Sequence, residues 1–360
     1  MKKIAIDARM IDHSGIGTLL KNILSRLPKT GNLDISLIGR RDQLDKYGLS
    51  IIEADYPIYG IKEQLLMPGL LRKNDISLYH ATHYNVPVLF GGKMIANIHD
   101  LIHLVFPHFL PSKAAYLYSK FLFAAACRKS KKIITISEHT KNDIIDQFKT
   151  DPSKIEIIYP GVSADFSPSA EKASAMKKIY GKYILYVGAV RPHKNVLKLV
   201  EAFILLKKSQ NIEHKLIIIG KSKPEYLRQI NRILSENLLK DEVLHFENAE
   251  AGNLVDFYCG AELFAFPSLY EGFGLPPLEA MACGCPVVTS NVSSLPEVVG
   301  NAALTVNPDC AEDISSVIHK MISNDNLRKE LISKGLERAK IFSWEKAAER
   351  TMKIYEELTA

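Results

Sequence analysis

Residues 262–290, ELFAFPSLYEGFGLPPLEAMACGCPVVTS, decide how the chain reads. They break into a buried strand (262–268), a loop rich in glycine and proline, a short helix and a second buried strand (285–290). Pro276 and Pro277 suit a first helical turn, where proline has no N–H to lose. The amides of Phe273, Gly274 and Leu275 then lead into a positive helix end, a natural seat for a phosphate. Glu271 in the loop and Glu279 one turn into the helix add two carboxylate acceptors for hydroxyl groups. An anion seat beside two such acceptors fits a sugar nucleotide.

Working outward, strand signals recur on both sides. Candidates in the first half are 3–9, 34–39, 77–81, 93–100, 132–137 and 154–161, with helical patterns near 16–27, 62–72, 112–130 and 138–148. In the second half they are 183–188, 215–220, 242–248, 262–268, 285–290 and 302–307. Continuous apolar runs separated by helices predict parallel sheets covered on both faces. The expectation is an α/β protein of two doubly wound, Rossmann-like domains in tandem, 1–163 and 164–342. YPGVSADFSPSAEK (159–172) reads as the linker. A last helix from Ser343, a good N-cap, carries a broad apolar stripe that needs a partner surface.

Composition narrows the class. The chain has 360 residues, 47% hydrophobic and 24% charged, as expected of a globular protein of two domains. No apolar run reaches the ~20 residues needed to span a bilayer. At the start, MKKIAIDARMID, the residues Asp7, Arg9 and Asp12 interrupt any signal-peptide core. The five cysteines suggest reduced, packed thiols in a cytoplasmic protein. Net charge is +6, with +7 in residues 1–163 and −1 in the remainder. A basic face attracts nucleic acid, anionic lipid or a phosphorylated acceptor, or is only a scattered solvated surface. Nothing resembles a nucleic-acid module. The segment 107–132, with its aromatics and six basic residues, suits a membrane interface and equally a core helix ending in a basic turn.

Other candidates lie at strand ends. Gly15 and Gly17 follow the first strand and open a helix, where a backbone can approach a phosphate or simply turn tightly. Arg191 and Lys194 follow strand 183–188, where two cations would neutralise a diphosphate. His99 ends strand 93–100; it either donates to a substrate hydroxyl or sits bonded to backbone. For His80 and His83 packing is the reading, and His13 precedes the glycine loop. Ser137 caps the following helix. The chain has no Asp-x-Asp, so no metal and no cofactor is expected.

Glu271 and Glu279, embedded in EGFGLPPLEAMACGCPVV, are similar to the signature of retaining GT-B glycosyltransferases of the family 4 type. The likeness extends to IDARMIDHSGIGTLLKNIL, NIHDL (97–101), YPGV (159–162), YVGAVRPHKN (186–195) and FSWEKAAERTMKIYEEL (342–358), with the flavour of bacterial mannosyltransferases that build surface polysaccharides. The resemblance implies that Glu271 lies beside the donor sugar and that Glu279 binds the nucleotide ribose. It implies that the Gly15–Gly17 loop borders the donor diphosphate and that His99 touches the transferred sugar. It implies too that the two domains face each other across a cleft and that the terminal helix packs back on the first domain. Lys194 stands at the family's usual distance from Gly188, whereas Ala189 occupies the place where an arginine is common. His99, Glu271, Lys194 and Arg191 are then the groups expected in the reaction. The donor is a nucleotide sugar, with GDP-mannose the specific expectation. The acceptor is a glycan or lipid-linked glycan, met in the cytoplasm or at the inner face of the membrane. A non-catalytic nucleotide-sugar or glycan-binding protein on the same scaffold is the alternative, separated by donor turnover.

Overall fold

The computed structural model describes residues 2–28, 33–249 and 254–360. The chain divides into two compact units, Met1–Gly161 with Ser343–Ala360, and Val162–Phe342.

The first unit is built on seven parallel strands: β1 (Lys2–Asp7), β2 (Leu33–Gly39), β3 (Ser50–Glu53), β4 (Leu78–Ala81), β5 (Lys93–Asn97), β6 (Lys132–Thr135) and β7 (Ile155–Ile157). Their order is β3-β2-β1-β4-β5-β6-β7. β3 was not expected from the sequence. It is a four-residue edge strand, paired on one side only and nowhere fully buried, so it lacks the long apolar run that marks its neighbours. Other strands end sooner than their apolar runs. β7 stops at Ile157, and Ile158 to Gly161 continue as loop.

The second unit holds six parallel strands: β8 (Tyr183–Val187), β9 (Lys215–Ile219), β10 (Val243–Phe246), β11 (Leu263–Phe266), β12 (Val287–Ser290) and β13 (Ala303–Val306). Their order is β10-β9-β8-β11-β12-β13. β8, β11 and β12 are buried along their whole length, which is why their sequences do not alternate. The expected linker overruns into structure. Helix Ala170–Tyr180 starts inside it, capped by Ser169, whose Oγ accepts from the Lys172 amide.

Each sheet reverses its winding direction beside its first strand, between β1 and β4 and between β8 and β11. Loops leaving the carboxyl ends of such strand pairs diverge and leave a crevice, the usual ligand position in open α/β sheets.

The terminal helix Trp344–Thr359 belongs to the first unit. Ser343 caps it, accepting from the amides of Glu345 and Lys346. Trp344, Ile354 and Tyr355 are buried there, each worth about 1.5–3 kcal/mol. Tyr355 Oη lies 2.6 Å from His80 Nδ1, and Arg350 pairs with Glu156 at 2.6 Å.

The two glycines of the first loop have different jobs. Around Gly15 a Cβ would meet nothing within 4 Å, whereas at Gly17 it would lie 2.3 Å from the Ile11 carbonyl oxygen. Helix Ser14–Leu24 can approach the preceding loop that closely only without a side chain. Gly17→Ala is therefore expected to cost about 1–3 kcal/mol of stability by overpacking. Gly15→Ala is expected to be neutral or to gain up to about 1 kcal/mol. Urea denaturation of the two variants side by side reads the difference.

Candidate functional site

The switch point of the second sheet gathers most of the residues singled out from sequence. After β8, the chain makes a single turn, Pro192–Lys194, and enters helix Val196–Gln210 through Asn195 at φ 60°. Asn195 Nδ2 donates to the carbonyls of Pro267 (3.0 Å) and Pro308 (2.7 Å), and the Leu269 amide donates to the His193 carbonyl at 2.8 Å. These bonds fasten the turn to the loops that leave β11 and β13. Lys194 Nζ is thereby set between the two Glu271 carboxylate oxygens, at 2.6 and 2.7 Å, and over the Phe266 ring, 5.5 Å from its centroid. The side chains are 20% and 11% exposed, so the pair is screened from most but not all water. Arg191 is exposed at the start of the turn, and among the described residues its guanidinium pairs with no carboxylate. His193 is buried beneath them. Burial, with Lys194 and Arg191 adding to it, pushes its pKa down to about 3, so it stays neutral.

The Glu271 loop is clamped from one side by two serines that the sequence reading missed. The Glu271 amide donates to Ser293 Oγ at 3.0 Å, and that hydroxyl donates back to the Glu271 carbonyl at 2.8 Å. Ser294 Oγ lies 2.9 and 2.7 Å from the carbonyls of Glu271 and Phe273 and shares its one proton between them. The available signal was the pair of small hydroxyl residues just before Leu-Pro, an ordinary helix start. Phe273 is buried. Gly274 takes φ 117° as the cap of helix Leu275–Ala282, and a Cβ there would meet Leu295 Cδ2 at 2.8 Å. Pro276 and Pro277 contribute no N–H, so the donors at this helix start narrow to the amides of Gly274 and Leu275, with Phe273 before them.

Glu279 sits one turn further on, partly buried, and accepts from Tyr258 Oη at 3.1 Å. Burial raises its pKa to about 7, the Tyr258 bond opposing the rise. Tyr258 was not singled out from sequence; it lies in an ordinary apolar helix, Leu254–Gly260.

The remaining candidates lie in the first unit. His99 Nε2 lies 2.9 Å from the Thr82 carbonyl oxygen, and Thr82 Oγ1 donates to the Asp7 carbonyl at 2.6 Å. Burial lowers the His99 pKa. A carbonyl only accepts, so the Nε2 position carries the proton and Nδ1 is left as an acceptor. Of the two readings open for His99, the structure shows the bond to backbone. His80 bridges Tyr355 Oη and Asn97 Oδ1 (2.8 Å), and the His83 ring centroid lies 4.1 Å from that of Tyr84. His13 is exposed. Gly15 is exposed at the start of its helix, while Gly17 is held for packing.

Sequence reading also missed a buried charge network at the end of β1. Arg9 donates from Nε (2.9 Å) and Nη2 (2.6 Å) to the two Asp7 oxygens and from Nη2 to Glu63. Tyr79 Oη donates to Asp7 at 2.8 Å, while Asn85 and the Tyr59 amide donate to Glu63. Burial works against the Arg9 charge, but Asp7, then Tyr79 and Glu63, more than offset it and its pKa rises. Asp7 ends β1 and Arg9 lies in the turn after it, whose amide also donates to Asp7 Oδ1 at 3.2 Å.

Two doubly wound parallel sheets in one chain, with a cation–carboxylate pair at the switch point of the second, define the GT-B class. Residues 170–338 match the family model for glycosyl transferases group 1, and residues 14–166 match that for Glycosyltransferase Family 4. The chain is 31% identical over 285 residues to the O-antigen chain mannosyltransferase B of Escherichia coli, covering 77% of this chain and 74% of that protein. It is 31% identical over 255 residues to the O-antigen chain mannosyltransferase RfbU of Salmonella typhimurium, covering 71% and 67%. The crystal structure of Anabaena HepE in complex with UDP and glucose superimposes with a TM-score of 0.80 at 16% identity, over 99% of this chain and 100% of that one. The chain belongs to glycosyltransferase family 4 and is a glycosyltransferase.

Proposed function

We propose that the protein transfers mannose from GDP-mannose, with retention at the anomeric carbon, to a glycan or lipid-linked glycan acceptor in surface polysaccharide synthesis. The observation that carries this reading is the Lys194–Glu271 pair at the carboxyl end of the second sheet, beside the Gly274 and Leu275 amides. The mannosyl preference is taken from the two O-antigen mannosyltransferases above. Lys194, Arg191 and those amides would stabilise the negative charge that gathers on the leaving diphosphate as the glycosidic bond breaks. Glu271 would hold Lys194 ready and face the donor sugar, and Glu279 would accept from the ribose hydroxyls. His99 and the Gly15–Gly17 loop would serve the sugar and the acceptor side. With no enzymic nucleophile assigned, the acceptor attacks from the face the diphosphate leaves, and a phosphate oxygen takes its proton.

We place this chemistry in the cytoplasm, in peripheral contact with the inner face of the membrane, with no nucleic-acid partner. Cationic side chains and a helix end would do a metal's electrostatic work. Turnover is therefore expected to survive EDTA within about twofold, whereas loss of a whole charge-stabilising group costs about 100-fold or more. A strict divalent-ion requirement would contradict the cation-only site. The reading itself is tested by a thermal-shift panel of GDP-, UDP-, ADP- and TDP-sugars, followed by mass spectrometry of the products formed from the stabilising donor. GDP-mannose is expected to stabilise most and to yield a product one hexose heavier. Stabilisation without any product would leave only a binding protein.

A further inference from the structure

All five cysteines are free thiols, and two of them meet beside Glu279. Cys259 lies on helix Leu254–Gly260, one residue after Tyr258, the hydroxyl donor to Glu279. Cys283 follows helix Leu275–Ala282, one turn after Glu279, and its amide donates to the Glu279 carbonyl at 3.1 Å. The two thiols hydrogen-bond each other, and Cys259 Sγ also lies 3.5 Å from the Ser167 carbonyl oxygen and 3.9 Å from that of Cys283. A dithiol therefore joins the same two helices that the Tyr258–Glu279 bond joins.

The two sulfurs are unequal. Cys259 is partly exposed, whereas Cys283 is buried. The Cys283 thiol, donating to Cys259, pulls the Cys259 pKa below the usual thiol range; the Ser169 amide and Lys172 help, and burial opposes. Lys172 is held in place by Asp256 at 2.7 Å. The same bond and burial push Cys283 up, so it keeps its proton. The other thiols lack this setting. Burial raises Cys127 and Cys285, and Cys310 caps a helix, where its Sγ accepts from the Asp313 amide at 3.4 Å. An accessible thiolate poised next to a second thiol is the arrangement of a redox-sensing cysteine.

We infer that Cys259 and Cys283 form a redox switch, which a hydroperoxide closes into a disulfide and which thereby loosens the Glu279 contact with the nucleotide. The Cys259 thiolate attacks one peroxide oxygen, the O–O bond breaks, and the other oxygen leaves as hydroxide and takes up a proton as water. Cys283 sulfur then attacks the resulting sulfenic acid at Cys259. The S–S bond forms, the S–O bond breaks, and the oxygen leaves as water with the Cys283 proton. Two thiols and one hydrogen peroxide thus give one disulfide and two waters, and a reducing dithiol reverses the change by exchange. Sulfurs that now share a proton must close to about 2.05 Å. Helix Leu254–Gly260 has no room to follow, because a Cβ at Gly260 would already lie 2.5 Å from both Met176 Cβ and Tyr183 Oη. The movement falls on the turn at Cys283 and Gly284, the latter at φ 73°, and passes through the Cys283 amide to Glu279. The inference rests on the proposed ribose role of Glu279 for its effect on the donor, but the disulfide itself does not.

The test treats the full chain with hydrogen peroxide, removes the excess, and maps the unreduced peptides by mass spectrometry. Calorimetry with GDP-mannose follows, before and after dithiothreitol. A Cys259–Cys283 cross-link is expected, with the mass of two hydrogens lost. Donor affinity should fall about tenfold, the scale of a lost charge-assisted hydrogen bond to the carboxylate, and dithiothreitol should restore it. Cys259→Ser should bind the donor as the reduced parent does and ignore peroxide. Cys283→Ser should stop at a sulfenic acid that dimedone captures; if that buried substitution prevents folding, Cys259→Ser carries the comparison alone. Absence of the cross-link, pairing of Cys259 with another cysteine, or peroxide sensitivity surviving in Cys259→Ser would overturn the inference. So would a cross-linked protein with unchanged donor affinity. Failure of every nucleotide sugar to bind the reduced protein would instead strike at the proposed function and leave the mapped disulfide standing.

Discussion

Lys194→Ala is expected to lower kcat/KM for the donor about 100- to 1000-fold, the scale seen when a fixed charge-stabilising donor is removed. The structure adds a second consequence. Glu271, 11% exposed, loses the ammonium that lies 2.6 and 2.7 Å from its two oxygens. A partly buried carboxylate without its partner costs about 1–3 kcal/mol, so the variant should also melt earlier. Activity and stability therefore fall together, and a single variant cannot say whether Lys194 serves the diphosphate or merely neutralises Glu271. A double-mutant cycle with Glu271→Gln can. In Lys194→Ala/Glu271→Gln no uncompensated charge remains, and the melting temperature should recover most of its loss. Turnover should not recover, because the cation itself is gone. If turnover returned with stability, Lys194 would be a structural counter-ion and the diphosphate site would lie elsewhere. Near-normal turnover in the single variant would remove Lys194 from the site outright.

The contrast explains what the sequence could and could not show. Strand after strand was legible because β8, β11 and β12 are buried on both faces and so are written as unbroken apolar runs. β3 escaped because an edge strand of four residues has no such requirement. Lys194, Glu271 and Glu279 stood out individually, by their places after strands or near a helix start and by the family resemblance. Their arrangement did not. That Lys194 closes on Glu271 depends on Asn195 bonding two carbonyls, Pro267 and Pro308, that lie 72 and 113 residues away in sequence. The clamp of Ser293 and Ser294 and the bond from Tyr258 to Glu279 are likewise long-range polar contacts, with no periodicity to betray them. The Arg9 network is the extreme case. Glu63 sits in a helix that leaves Ile61, Leu65 and Leu66 exposed, and only the fold reveals that the glutamate faces inward. His99 shows a different limit: its position was readable, but its proton was not, because the carbonyl of Thr82 fixes the tautomer.

Glu279 offers the sharpest test of the nucleotide site, because its carboxyl is poised to change charge near neutrality. Burial holds its pKa up at about 7, with Tyr258 as an opposing hydrogen-bond donor. In the unliganded protein the sign is fixed. Between the ordinary carboxylate range and about pH 7, the folded chain holds a proton that the unfolded chain has released. The stability this group contributes is full below that window and is lost as pH rises through about 7. Ribose hydroxyls donating to the carboxylate would favour its ionised form and pull the pKa back down. Binding then releases a proton, so affinity for the donor should rise with pH through about 7, by about tenfold for each unit that binding lowers the pKa. GDP-mannose suits the experiment better than GDP, because its diphosphate is esterified at both ends and has no terminal phosphate to titrate near neutrality. Calorimetry in two buffers of different ionisation enthalpy reads the released proton directly. Glu279→Gln should weaken binding about tenfold, consistent with loss of charge-assisted hydrogen bonds, and should flatten both the affinity and the stability profiles against pH. A glutamine variant that kept the pH dependence of binding would place the titrating group elsewhere. One that kept full affinity as well would remove Glu279 from the ribose.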